Sequence, residues 1–162
     1  MSIKTLDIDA LERLALALVG VPWVDESWDP AVGLDCWTVT WLLYDGAGIT
    51  LPRNIWACKP LFQTVERPGV PGDVLYFEPP EALRPHLGVR LRGLKFIDCN
   101  WGGAGVSIHD LAQPPWRDCL QNVWRYRGPA PGSSPWQAPD HDTGPAPCCD
   151  TGAGPCCDTG AV

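Results

Sequence analysis

Eleven consecutive residues, Cys36-Trp-Thr-Val-Thr-Trp-Leu-Leu-Tyr-Asp-Gly46, constrain this chain more than any other segment. At helical spacing the stretch is apolar on nearly every side, through Trp37, Val39, Trp41, Leu42 and Leu43. A helix without a polar face belongs in the centre of a domain. Asp35 is a residue type that caps helix N-termini, so Cys36 falls in the first turn. Unpaired N–H groups and the positive end of the helix dipole favour an anion there, and a thiol so placed tends toward the reactive thiolate. Gly46 and Gly48 end the segment.

The elements around it follow from changes of period. Ile8, Leu11, Ala15 and Leu18 recur at helical spacing, and Asp9 with Glu12 predicts a capping box, giving a helix over 9–19 that stops at Gly20 and Pro22. Residues 23–33 carry Pro, Gly and acids and read as a loop leading to Cys36. After Pro71-Gly-Asp73, a turn, Val74–Phe77 reads as a buried strand. Leu87, Val89 and Leu91 alternate with Gly88, Arg90 and Arg92, which predicts a half-buried strand. Gly93 turns the chain, Leu94–Cys99 runs back, and Val106–Ile108 and Leu120–Arg127 read as further strands. Helices followed by an antiparallel sheet make an α+β domain.

Composition divides the chain of 162 residues and narrows its chemistry. All 12 Lys and Arg lie at or before Arg127, against 19 acids and a net charge of −7. Setting aside Asp140, Asp142, Asp150 and Asp158 leaves fifteen acids against twelve bases, so about half of the excess negative charge belongs to the tail. Neither part offers the basic patch that nucleic acid requires, so no nucleic-acid partner is expected. No segment approaches the ~20 apolar residues of a membrane span. The N-terminus does not read as a secretory signal, because Glu12 and Arg13 interrupt its apolar run. With Cys36 reserved as nucleophile, Cys58, Cys99 and Cys119 cannot all pair, which argues against a disulfide framework and for synthesis in a reducing compartment. The nine tryptophans read mainly as packing residues, a few as groove lining.

Three residue types suffice for nucleophilic attack on an acyl group: Cys36, an imidazole at His86, and a polar group at Asp98 or Asn100 to orient that imidazole. A two-residue turn at Arg92-Gly93 would set Cys99 opposite His86, and a slip of one residue changes the face of every side chain. His109, near a strand end, reads as a solvated or capping residue, and His141, in a linker, as irrelevant to the site.

In order along the chain, Gly20-Val-Pro-Trp23, Asp35-Cys-Trp-Thr38, Ala47-Gly-Ile-Thr-Leu-Pro-Arg53, Pro71-Gly-Asp-Val-Leu-Tyr-Phe77 and His86-Leu-Gly-Val89 resemble the motifs of the NlpC-type, papain-fold cysteine peptidases. The resemblance spans about residues 9–127. It implies a papain-like α+β fold, helices carrying Cys36 against an antiparallel sheet carrying His86, and a third catalytic residue twelve positions after the histidine, at Asp98, opposite His86. It also implies hydrolysis of peptidoglycan stem peptides beside D-glutamate, with no cofactor or metal. Family members hold the free amine of an N-terminal L-alanine with a Tyr, an Asp and a Ser, and the matching positions here are Trp23, Asp35 and Trp37. Thr38 stands where the family has glycine and adds bulk. A Trp directly after the cysteine is similar to members in phage tail tips and gene-transfer particles. That implies tail-tip partners and a virion location for a protein made in the cytoplasm.

The expected organisation is a peptidase domain over 1–128, a Pro/Gly-rich linker over 129–141 and a tail over 142–162. The tail repeats Asp-Thr-Gly-Pro-Ala-Pro-Cys-Cys as Asp-Thr-Gly-Ala-Gly-Pro-Cys-Cys and has nothing but thiols to bury, which predicts disorder. Its Cys148, Cys149, Cys156 and Cys157 could instead hold zinc or an iron–sulfur cluster, or form intermolecular disulfides. Two rival functions remain at this stage, an amidase of the same fold and a silent structural module whose pocket Trp23 and Trp37 plug.

Overall fold

A computed structural model describes residues 5–78, 85–100 and 103–129. The linker and the cysteine repeat lie outside these residues. Helix α1 spans Ile8–Leu18 and α2 Cys36–Gly46. A short helix α3, Ile55–Cys58, leads through one turn of 3-10 helix into strand β1, Phe62–Val65. Strands β2 (Val74–Phe77), β3 (His86–Arg90), β4 (Lys95–Asn100) and β5 (Gly105–Asp110) follow, then the short helix α4 (Trp116–Cys119) and β6 (Leu120–Tyr126). The six strands form one antiparallel sheet in the order β1-β6-β2-β3-β4-β5. The α+β architecture expected from the periodicity is present. The sequence reading did not find α3, β1 or α4, which are four-residue elements too short to show a period.

The central helix occupies the position its composition demands. Val39 and Leu43 of α2 pack with Leu11, Ala15 and Leu18 of α1 and with Val89, Ile97, Cys99 and Val106 of the sheet. Tyr44 joins a second cluster with Ile49, Leu51, Val74 and Leu87. A third cluster gathers Leu75, Phe77, Phe96, Leu111, Cys119, Leu120 and Val123, with Trp116 packed against it. The α4 segment thus closes over part of the sheet. The reading of β3 as half-buried is corrected, because every residue of His86–Arg90 is buried: Trp116 packs on His86, Phe96 closes on Gly88, and Arg90 donates to the Lys95 carbonyl.

Two local expectations are also corrected. Asp7, not Asp9, caps α1, accepting the N–H of Ala10 at 2.9 Å. Asp9 and Glu12 instead reach the turn between β3 and β4, where Arg92 donates to both, and Glu12 also accepts the Arg92 N–H at 2.7 Å. Tertiary ion pairing has drawn both acids away from the helix start. At the exit of α1, Gly20 donates to the Val106 carbonyl and Val106 to that of Val21, at 2.9 and 2.8 Å. This seam needs Gly105, which has φ +74° and where a Cβ would lie 2.1 Å from the Val21 oxygen.

Candidate active site

Cys36 is the first residue of α2, and its position is set by the residues on either side of it. Asp35 Oδ1 accepts the N–H of Thr38 at 2.7 Å, and Thr38 Oγ1 accepts the N–H of Asp35 at 2.8 Å. The pair forms a complete capping box. Thr38 therefore does more than add bulk where glycine is expected, because it completes the cap that holds Cys36 in the first turn. The other Asp35 oxygen accepts the N–H of Glu26, tying the preceding loop to the helix start. Val39 N–H already bonds the Asp35 carbonyl, so the N–H groups left at this end are those of Cys36 and Trp37.

His86 opens β3 and Asp98 lies in β4. Their ladder pairs Gly88 with Asp98 and Arg90 with Phe96, around a loop with left-handed backbone at Gly93 and Leu94. Asp98 therefore faces Gly88 across the ladder and stands diagonal to His86, which corrects the expected direct opposition. Both side chains remain on one face, and Nε2 of His86 lies 2.8 Å from Oδ2 of Asp98. A Cβ on Gly88 would meet the Phe96 ring at 2.7 Å, so the glycine of the His-x-Gly motif makes room for the aromatic packing behind the pair.

The thiol of Cys36 lies near enough to the His86 ring to raise the pKa of the imidazole. With Nε2 given to Asp98, Nδ1 is the ring nitrogen left to exchange a proton with the thiol. Burial pulls the His86 pKa down, but the bond to Asp98 and the nearby Cys36 sulfur outweigh it and push the imidazole up to about 9. Burial likewise pushes the Asp98 carboxyl up, and the imidazoles of His109 and His86 more than reverse this, holding it below the usual carboxylate range. The site thus contains a thiol beside an imidazole that keeps a proton at neutral pH, and an ionised carboxylate hydrogen-bonded to that imidazole. Such a set can form a thiolate–imidazolium pair and attack an acyl carbon.

Of the residues expected here, Cys36, His86 and Asp98 come together, whereas no hydrogen bond to the relay is found for Asn100. Trp37 gives its indole N–H to the Arg53 carbonyl at 2.7 Å, and Trp41 gives its own to Leu51 at 2.7 Å, so α2 fastens the segment after it. Trp23 forms a bridge with Leu34 beside the helix start and is half-buried. Trp28 stands edge-on to Trp41, with the Arg53 guanidinium over both rings at 4.8 and 5.7 Å from their centroids. His109, expected to be solvated, lies instead against the buried carboxylate, with Nε2 3.2 Å from Asp98 Oδ1. Its only signal in the sequence is its place on the strand after Asp98, facing Phe96.

The remaining described cysteines are free. Burial pushes the thiols of Cys58 and Cys99 up to about 12, which suits packing rather than reaction. Among the described residues no group of three His, Cys, Asp or Glu side chains is arranged to hold a metal ion, and no helix is long and apolar enough to cross a membrane.

A thiol at the head of a central helix, met by an imidazole and a carboxylate from adjacent strands, defines the papain-like class of α+β fold. Within that class the chain belongs to the NlpC/P60 family, whose family model matches residues 21–125. Among solved structures it is similar to an NLP/P60-family, lipoprotein-like protein of Staphylococcus aureus, with 24% identity, a TM-score of 0.60, and coverage of 78% of this chain and 43% of that one. An NlpC/P60 family protein of Bacillus cereus gives 22% identity and a TM-score of 0.63, over 77% of this chain and 42% of that one. The NlpC/p60 domain of the peptidoglycan hydrolase SagA gives 19% identity and a TM-score of 0.57, over 73% of this chain and 97% of that domain. This chain spans less than half of the first two proteins, and at these identities the likeness is one of fold. No curated protein matches the chain by sequence.

Proposed function

We propose that the protein is a cysteine peptidase that hydrolyses the stem peptides of peptidoglycan. The observation that carries this reading is the His86–Asp98 hydrogen bond with the Cys36 thiol beside the same imidazole, in a family that includes peptidoglycan hydrolases. The Cys36 sulfur attacks the peptide carbonyl, and its proton resides on Nδ1 of His86. The tetrahedral oxyanion faces the N–H groups of Cys36 and Trp37, a contribution of about 3 kcal/mol per donor in comparable sites. His86 then protonates the leaving nitrogen as the C–N bond breaks, giving a thioester. Water attacks that thioester with His86 accepting its proton, and the acid product and free thiol are released. Asp98 holds the ring for each transfer.

Substrate selection is assigned to the helix start, with Trp23, Asp35 and Trp37 as the binding residues. Both Asp35 oxygens already accept backbone N–H groups, and the Trp37 indole N–H is spent on the Arg53 carbonyl. A free amine on the substrate therefore has Asp35 as its acceptor, with Trp23 and Trp37 at the positions where relatives offer hydroxyls. A Trp after the nucleophile also supports a place among tail-tip members of the family, with tail proteins as partners and the virion as location.

The same two tryptophans favour a second reading, an inert module with a closed pocket, and an amidase would differ only in the bond cut. Purified cell walls treated with the protein and with Cys36→Ala separate these. Clearing by wild type alone, with new amino termini on stem-peptide fragments, is expected. Release of intact stem peptides from the glycan would point to the amidase, and no clearing by either protein to the inert module.

A further inference from the structure

Asp98 has two carboxylate oxygens, and His86 accounts for one. The other, Oδ1, is buried and lies 3.2 Å from Nε2 of His109, out of line for a hydrogen bond, so both atoms lack a well-directed partner. The β4–β5 ladder pairs Phe96 with His109 and Asp98 with Ser107. His109 is therefore diagonal to Asp98 on one side, as His86 is on the other. The two imidazoles flank the carboxylate from neighbouring strands. Trp116 covers both rings, at 4.9 Å from His109 and 5.9 Å from His86, and Phe96 packs on His109 at 5.4 Å. Asp98 is fully buried, whereas the His109 side chain retains 29% of its exposure.

A buried carboxylate oxygen without a donor is costly, and a small rotation of the adjacent ring would supply one. We propose that His109 is a positioning residue of the site, its Nε2–H holding the second oxygen of Asp98 and so fixing the orientation in which the first oxygen holds His86. The inference rests on the peptidase reading for its effect on turnover. Burial drives the Asp98 carboxyl upward, and contact with His109 opposes this, so loss of the donor raises the pH at which the relay is lost. The titratable groups facing the pair are Cys36 from α2, His86 from β3 and Cys99 beside Asp98, while α4 contributes the Trp116 ring. Asp110, next to His109, is paired with Lys95 at 2.8 Å.

The test is the pH profile of Cys36 alkylation by iodoacetamide in the full chain, read on the tryptic peptide 14–53, which carries this cysteine alone. His109→Phe keeps an aromatic ring against Trp116 and Phe96 but no donor. It should move the acid limb up by about half a pH unit or more, and His109→Gln, which can donate, should restore most of the shift. A His109→Phe profile that coincides with wild type, or two variants displaced alike, overturns the proposal. Nitrogen-15 spectra of the wild-type imidazoles decide it even where a variant fails to fold, since a His109 ring protonated on Nδ1 alone is incompatible with it. Alkylation requires no peptidoglycan. A shifted limb in a protein that clears no cell wall would sink the peptidase reading and leave this one standing.

Discussion

Nε2 of His86 and Oδ2 of Asp98 meet at 2.8 Å although the ladder pairs Asp98 with Gly88. Diagonal neighbours on adjacent strands are ~7–8 Å apart at Cα, a gap that an imidazole and a carboxylate can close. The contact makes Asp98 the principal support of the His86 proton. In Asp98→Asn the imidazole should titrate well below 9, toward its ordinary 6.5, and turnover of cell-wall fragments should fall about a hundredfold or more. Imidazole nitrogen shifts followed across pH check the first part, and an unchanged His86 titration would refute it.

Stability should depend on pH through the same pair. His86 is raised in the folded state, so its contribution is complete below pH 6.5 and lost as pH rises through about 9. Asp98 is lowered, so its contribution is present above the ordinary carboxylate range and lost as pH falls through its depressed value. Between pH 6.5 and 9 the wild type should lose on the order of 3 kcal/mol from His86. Urea unfolding of wild type and His86→Gln across that window checks this, with the variant giving the flatter curve.

Thr38→Gly should weaken the protein. It removes the hydroxyl that accepts the Asp35 N–H and adds backbone entropy in the first turn. The expected loss is about 1–2 kcal/mol, with slower alkylation of Cys36 as the helix start loosens. A gain in stability would show that the threonine is strained rather than capping.

Gly105 and Gly93 both have positive φ, but only Gly105 faces a close backbone atom. Gly105→Ala should cost more than about 2 kcal/mol, since the Val21 carbonyl cannot withdraw without breaking the seam between α1 and β5. Gly93→Ala has open space and should cost about 1 kcal/mol, from backbone strain alone. Equal denaturation midpoints for the two variants would contradict this account.

What could be read in the sequence is what neighbours within a few residues decide. Asp35, Cys36 and Thr38 stand within one helical turn, so the cap and the thiol at its head are visible as a spacing. The apolar 36–46 run identifies the central helix, and alternation identifies β3 and its partner, because burial imposes a period on each. Other features were settled by contacts between distant segments. Arg92 draws Asp9 and Glu12 from the cap of α1, and groups from β4 and α4 cover a strand that alternation alone reads as half exposed. The loop between β3 and β4 selects the register that makes Asp98 a diagonal partner, and β5 then brings His109 to the free oxygen of that carboxylate. A strand pattern carries a period of two but no offset, so it tells which face a residue occupies and not which neighbour it meets. That choice belongs to packing, which ranks registers by how well buried groups fit and are paired.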